Sequence, residues 1–303
     1  MRKFFSALLA LTMMAGVIAV SPITASAVAP PNPPPFAVWN FTSANEDGGG
    51  SYNGGTWDWQ NATKTLTLTG ISHTSAGQLA LQLPTGATIV LIGANTLTST
   101  NASAAGYSTA ISAGSLTIRG SGSLEAKGGN TAYGSSSYGI ECLASLTISE
   151  NASVTATGGA TALGSSRGII CISALIISDN ASVTAKGGTS ASGESCGFAA
   201  SGLTIGENAS LVATGNTRAF FPNYTVPAGY TYYVNTTTAP SAAARTGNGS
   251  TTVIGSTHKY AKIAYGEPVI KPPKGIFGTK PQYNQWYHYI LFFLCFGFLW
   301  MWF

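Results

Sequence analysis

Residues 138–159 read YGIECLASLTISENASVTATGG, and residues 167–188 read RGIICISALIISDNASVTAKGG, nearly the same text one period later. Two further copies flank them: TAISAGSLTIRGSGSLEAKGG from Thr109 and, more loosely, CGFAASGLTIGENASLVATG from Cys196. Ile118, Ile148, Ile177 and Ile205 are equivalent positions, spaced 30, 29 and 28 residues apart. Upstream, Ile89, Leu91 and Leu97 line up with Leu116, Ile118 and Leu124 at a constant offset of 27, so a degenerate copy starts near Leu79. A fixed period in this range marks a chain that stacks like units along one axis.

Inside each copy the period is two. LTISENA and SVTATGG alternate apolar with small polar residues and are rich in Thr, Val and Ile, which is strand chemistry. No stretch holds i, i+3, i+4 apolar spacing long enough for a helix, which excludes leucine-rich, ankyrin and tetratricopeptide repeats. Each copy divides into GIEC, SLTIS and SVTAT, joined by turns and one longer loop, and that is one coil of a parallel β-helix. A single coil cannot bury its inward face; stacking at about 4.8 Å does so. The expected fold is therefore all-β, a right-handed parallel β-helix of about five or six coils of roughly 27–30 residues. It is expected over residues 51–219 with an N-terminal cap, followed by a C-terminal β cap over 220–266.

Composition agrees. Of 303 residues only 8% are charged, against about 25% in an average soluble domain, too few for the exposed faces of a helical bundle or doubly wound enzyme. The 45% hydrophobic content argues against disorder. A net charge of +4 with no basic stripe gives no footprint for nucleic acid, and no nucleic-acid partner is expected.

Several columns follow from the alignment. Asn151, Asn180 and Asn208 share one turn position; stacked amides hydrogen-bond up a ladder and tolerate a left-handed turn backbone. The same N-A-S triplets have the form of glycosylation sequons. Glu150, Asp179 and Glu207 precede them, either as a solvated carboxylate edge or as ligands for Ca²⁺. Cys142 and Cys171 each lie three residues after the glycine of their coil, so they stack as buried small side chains or as a disulfide. Gly158-Gly159 and Gly187-Gly188 mark the bend into the long loop. Trp57 and Trp59 share one strand face, as a cover for the open coil end or as a platform for sugar rings. Val226, Tyr230, Tyr232, Tyr233 and Tyr260 to Ile263 are expected to close the other end.

The termini carry an address. Arg2 and Lys3 precede an apolar run to Val20, and Ala25-Ser26-Ala27 supplies the small residues of a cleavage site, so 1–27 reads as a signal peptide. Residues 28–50 and 267–285 read as Pro/Gly- and Pro/Lys-rich linkers. Residues 286–303, WYHYILFFLCFGFLWMWF, would make a helix of roughly 27 Å with aromatic residues at both ends, which suits a membrane anchor. Lys271, Lys274 and Lys280 lie on the side the leader would export, against the positive-inside preference, so a tail lying in the interface stays an alternative to a span.

Catalytic motifs are sparse. His73, His258 and His288 lack metal-ligand spacing, and no phosphate loop, nucleophile elbow or dinucleotide fingerprint occurs. The acids of the repeats are Glu125, Glu141, Glu150, Asp179, Glu194 and Glu207, a thin supply for a Ca²⁺-dependent lyase. Neither an enzyme nor a cofactor is expected. A binding stripe has more support. The loops NTAYGSSSY, ATALGSSR and TSASGESC leave one side of the coil, beside the column Lys127, Thr157, Lys186 and Thr214. With Tyr133, Tyr138 and Arg167 these offer hydroxyls, aromatic faces and positive charge, a match for a polysaccharide or cell-wall glycan. The same stripe also reads as an ordinary solvated face.

The order WDWQNATKTLTLTG, LQLPTGATIVLIGANTLTS, the LTIRGSGSLEAKGG-type coils and KYAKIAYG resembles exported β-helix proteins of Gram-positive bacteria, described as carbohydrate-binding-domain-like and related in fold to pectate lyases. The resemblance covers about Ser51 to Gly266. It implies a right-handed parallel β-helix at the cell surface and polysaccharide binding. The expectation is an exported, membrane-anchored glycan-binding or adhesive module; the alternatives are a structural or partner-binding surface protein and, third, a polysaccharide lyase.

Overall fold

The alternation in each copy becomes three strands, and equivalent strands of successive copies form three parallel sheets. A computed structural model describes residues 37–101, 106–132, 135–241, 243, 245–247, 253–266, 274–275 and 278–279. The proposed leader and anchor, and Tyr133, lie outside the described residues. Sheet I stacks Thr65–Thr69, Ala87–Ile92, Leu116–Gly120, Leu146–Ile148, Ala174–Ile177 and Gly202–Ile205. Sheet II stacks Ser72–Ser75, Ala94–Ser99, Ser123–Lys127, Ser153–Thr157, Ser182–Lys186 and Ser210–Thr214. Sheet III stacks Leu79–Gln82, Ser108–Ala113, Ser137–Cys142, Ser166–Cys171, Ser195–Ala199 and Arg218–Phe221. About four turns have parallel neighbours above and below in all three sheets. The outermost strands meet a cap strand or end their sheet, so the expected five or six coils amount to about four complete turns with a partial turn at each end.

Register follows the repeat. Ile118 pairs with Ile148, Ile148 with Ile177, and Ile177 with Ile205. The upstream copy departs from the expected offset of 27: Leu116 pairs with Ala87, Ile118 with Ile89 and Gly120 with Leu91, an offset of 29. A slip of two residues keeps every side chain on its face, so the apolar pattern fits both registers. Inside, Leu124, Val154, Val183 and Leu211 form one buried column, and Ile111, Ile140, Ile169, Phe198 and Phe220 another, in one continuous core. Each such side chain contributes about 1.5–3 kcal/mol by leaving water.

At the N-terminal end, Gly48–Tyr52 and Gly55–Gln60 form a hairpin that pairs antiparallel with Thr65–Thr69. Its Asn53-Gly54 turn has both φ values positive, 47° and 84°, which suits the right-handed twist of the flanking strands. Trp57 and Trp59 point inward, 3% and 0% exposed. The stretch expected to be linker joins them: Trp39–Asn40 pairs with sheet III, and Trp39 and Phe41 are buried. Phe41 lies 5.0 Å from Trp59 between ring centroids, and Trp39 stacks on His73 at 4.6 Å. The cap thus begins near Trp39, because the open coil end needs more apolar cover than one hairpin supplies.

The C-terminal end closes differently. Tyr260–Tyr265 pairs antiparallel with the last strand of sheet II, and Tyr230–Asn235 pairs with it in turn. Among the described residues sheet I gains no strand there. Tyr224 Oη donates to the Leu203 carbonyl at 3.3 Å, and Tyr230 Oη donates to the Ile205 carbonyl, so two hydroxyls satisfy part of its open edge.

Candidate functional site

The long loops between sheets II and III, expected to leave one side of the coil, stack on one another as rungs. Thr131, Thr161 and Ser190 form bridges from coil to coil. A column of serines, Ser108, Ser137, Ser166 and Ser195, all 0% exposed, stitches the loops to the body. Ser137 Oγ donates to the Gly129 carbonyl at 2.8 Å and accepts from the Gly159 amide at 2.7 Å. Ser166 repeats this with the Gly159 carbonyl and the Gly188 amide, both at 2.7 Å. Each hydroxyl therefore ties the bend of its own coil to that of the next. The glycine pairs are needed for this close stacking rather than for an unusual φ: a Cβ on Gly159 would collide with the backbone of Gly128 and Gly129, and one on Gly188 with that of Gly158 and Gly159. The serine column was legible at a constant spacing of 29, and reading only the apolar period missed it.

The expected stripe is partly assembled. Lys127, Thr157, Lys186 and Thr214 pair in register along the end of sheet II, and Thr74 and Thr98 extend the row toward the N-terminal cap. Beside it on the same face run Ser72, Thr96, Glu125, Thr155, Thr184 and Val212. Rows of hydroxyls and methyls repeat at about 4.8 Å along the axis and roughly 6.7 Å across it. Lys127 Nζ lies 2.7 Å from Glu125, an exposed pair worth little. Among the described residues Lys186 makes no ion pair.

Tyr138 and Arg167 are register partners at the start of sheet III, half-buried. Arg167 is paired and shares its partner: its Nη2 lies 3.0 Å from Glu194, which also holds Arg218 at 2.8 Å. Trp57 and Trp59 are corrected as glycan candidates. Their rings are consumed by the cap, and a sugar could reach them only if the lid opened.

The turn columns are structural. Asn180 Nδ2 donates to Asn151 Oδ1 at 3.0 Å, one link of the expected ladder, and Asn208 stands at the same turn position one coil on, exposed. The left-handed backbone falls one residue earlier, at Glu150 and Asp179, with φ of 61° and 54°. Asp179 Oδ2 accepts the Glu150 amide at 2.9 Å, and Glu150 pairs with Arg119 at 3.0 Å. Both carboxylates are thus occupied within the protein, while Glu207 is an exposed turn residue. No group of three or more metal-ligating side chains comes together among the described residues.

Cys142 and Cys171 are register partners, both buried and both free thiols. A hydrogen bond between them, then burial, pushes the Cys142 thiol far up. Cys196 is also a buried free thiol, donating to the Phe198 carbonyl at 2.9 Å and pushed up to about 12, chiefly by burial. His73 is lowered to about 4 by burial, with the nearby backbone of Ala37 and Ala80 offsetting only part. Glu141 is raised by burial, against a hydrogen bond from Ser112.

No helix among the described residues is long and apolar enough to cross a membrane. Of the family resemblance, the parallel β-solenoid architecture stands. No family model, curated protein or solved structure matches the chain.

Proposed function

We propose that the protein is an exported, surface-anchored β-solenoid that binds an extended polysaccharide without catalysis, along the outer face of sheet II. The observation that carries this reading is the unbroken row Thr74, Thr98, Lys127, Thr157, Lys186 and Thr214, one residue per rung. A glycan chain laid along the axis meets a hydroxyl or ammonium at every step, with threonine methyls for the faces of its rings. Tyr138 begins the neighbouring sheet just beyond the loops and offers an aromatic edge to the same ligand. Export and anchoring rest on residues 1–27 and 286–303, whose patterns suit a leader and a membrane-seated tail. A reading without catalysis is supported by four of the six repeat acids being tied, Glu125, Glu150 and Glu194 to cations and Asp179 to a backbone amide, which leaves Glu141 on sheet III and Glu207 at a turn as single acids.

The test is retention of the full chain, in detergent, on an array of neutral and charged polysaccharides. Retention on one class is expected to fall about tenfold in Lys127→Ala/Lys186→Ala and in Thr157→Arg, each melting as the parent does. Retention unchanged by both would sink the sheet II reading. A rise in ultraviolet absorbance on uronate polymers with Ca²⁺ would instead establish the lyase.

A further inference from the structure

The outer face of sheet III changes character along the axis. Its outward column runs Glu141, Ile170, Ala199, Phe221, so it turns apolar toward the C-terminal end. The turns that follow these strands project Leu143 and Ile172, 58% and 59% exposed, and Phe221 is 42% exposed. A cleft of about 180 Å³ opens between Ile172 and Phe221, walled by Ile170, Ala199, Pro222 and the side chain of Arg167.

One lining residue, Arg167, carries charge, and it belongs to a cluster whose other members, Glu194 and Arg218, stand outside the lining. Glu194 takes Arg167 on one carboxylate oxygen and Arg218 on the other, at 3.0 and 2.8 Å. Both guanidinium groups also lie over the Phe221 ring, 5.9 and 5.1 Å from its centroid. Two cations on one carboxylate leave a net positive charge, in side chains only 15–24% exposed, where solvent screens it weakly. The Nε atoms of both arginines are buried without a hydrogen bond; that of Arg218 is close to Glu194 but its N–H is not aligned on it. The cluster is thus short of one anion, beside an apolar recess.

We propose that this cleft docks an acidic peptide: a carboxylate side chain meets Arg167, whose partner Glu194 is shared with Arg218, and a neighbouring large apolar side chain fills the recess against Phe221. Size and chemistry both favour a peptide over a sugar. The volume is below the roughly 300 Å³ of the smallest usual small-molecule sites, and suits one anchoring side chain. A sugar needs hydrogen-bonding groups around its rim, and Ser201 supplies the only hydroxyl lining the cleft, which it donates to the Ile172 carbonyl at 2.7 Å. Arginine and aromatic side chains around a small recess are also the composition that concentrates binding energy at protein interfaces. This site is separate from the glycan row on sheet II and does not depend on it.

The experiment probes an array of octapeptides, each with Asp or Glu beside Leu or Phe, together with twins carrying Asn or Gln, using the full chain in detergent. Acidic peptides are expected to be retained about tenfold better than their amide twins. Ile172→Ser and Phe221→Ser should abolish the difference, and Lys186→Ala should not touch it. Ile172 is largely exposed, so its variant carries the test even where Phe221→Ser melts early. Equal retention of the amide twins, no retention of any peptide, or retention indifferent to Ile172→Ser would each overturn the proposal. So would loss of glycan retention in Ile172→Ser, which would make the cleft a sugar site.

Discussion

The two ends of the solenoid face the same problem, an exposed cross-section of apolar coil, and meet it with different chemistry. The N-terminal end is plugged by volume: Trp39, Phe41, Trp57 and Trp59 fill it, with His73 stacked among them. The C-terminal end buries smaller apolar residues, Phe220, Val226 and Ile254 among them, and adds hydrogen bonding: antiparallel strands extend sheet II, and tyrosine hydroxyls reach the edge carbonyls of sheet I. Buried volume is worth several kcal/mol per large side chain, whereas one neutral hydrogen bond nets about 1 kcal/mol. The comparison teaches that the first end depends on a few large residues and the second spreads its stability over many small contributions.

The largest effect is therefore expected from Trp59→Ala. Removing a fully buried indole costs about 3–5 kcal/mol, a large share of the roughly 5–15 kcal/mol of an ordinary domain. Denaturant titration should show it, with proteolysis beginning before Thr65. A loss under about 1 kcal/mol would mean that the plug is ornamental and that the ends are alike.

Next comes acid. His73 stays mostly neutral in the folded protein until pH nears its lowered value of about 4, against an ordinary 6.5. Between those values the unfolded chain takes up a proton that the folded one refuses. Stability is thus full above pH 6.5 and falls as pH drops from 6.5 to 4, by about 3 kcal/mol in all. Below 4 the folded protein is protonated too, and this contribution stops changing. His73→Phe, which keeps a ring against Trp39, should flatten that window in melts taken from pH 7 to 4. A slope that persists in the variant would assign it to the carboxylates.

The clasped body between the ends gives the scale for both. Ser166→Ala leaves the Gly159 carbonyl and Gly188 amide without their partner at a buried position, a cost of about 1–3 kcal/mol. Hydrogen exchange should rise in the loops at 157–165 and 186–194 and stay level in both caps.

What the sequence disclosed follows from what repeats. The period, the three strands per coil, the inward Ile and Leu columns, the Asn151–Asn180 ladder and the Cys142–Cys171 register all recur with the coil, and all were legible. What escaped does not recur, or recurs in polar residues. The offset at Ile89 escaped because a two-residue slip preserves sidedness. The left-handed turn position escaped because Asp and Asn both tolerate it, and they are adjacent at Asp179-Asn180. Trp39 and Phe41 escaped because one aromatic pair in a proline-rich stretch shows no period. The Arg167–Glu194 pair escaped because only the stacking of the long loops brings together partners 27 residues apart. For the site, the lysine and threonine row was legible, whereas the cleft at Phe221 was not. It forms where an outward column changes from Glu141 to Ile170 to Phe221, which no single copy displays.

The smallest expected effect is the sharpest discriminator between the ends. Tyr230→Phe keeps the ring, its edge-on contact with Tyr265 at 5.2 Å and the strand, and deletes only the hydroxyl that serves the Ile205 carbonyl. If hydrogen bonding closes this end, the loss is about 0.5–1.5 kcal/mol. It should be felt locally, as faster exchange of the amides from Gly202 to Gly206, because among the described residues no further strand pairs with that edge. Tyr224→Phe, removing the neighbouring bond to Leu203, should add to it, since each hydroxyl serves a different carbonyl. If the tyrosines act by volume alone, as the tryptophans do at the other end, both variants will melt and exchange like the parent. The two ends would then share one mechanism, with the carbonyls of Leu203 and Ile205 served by water.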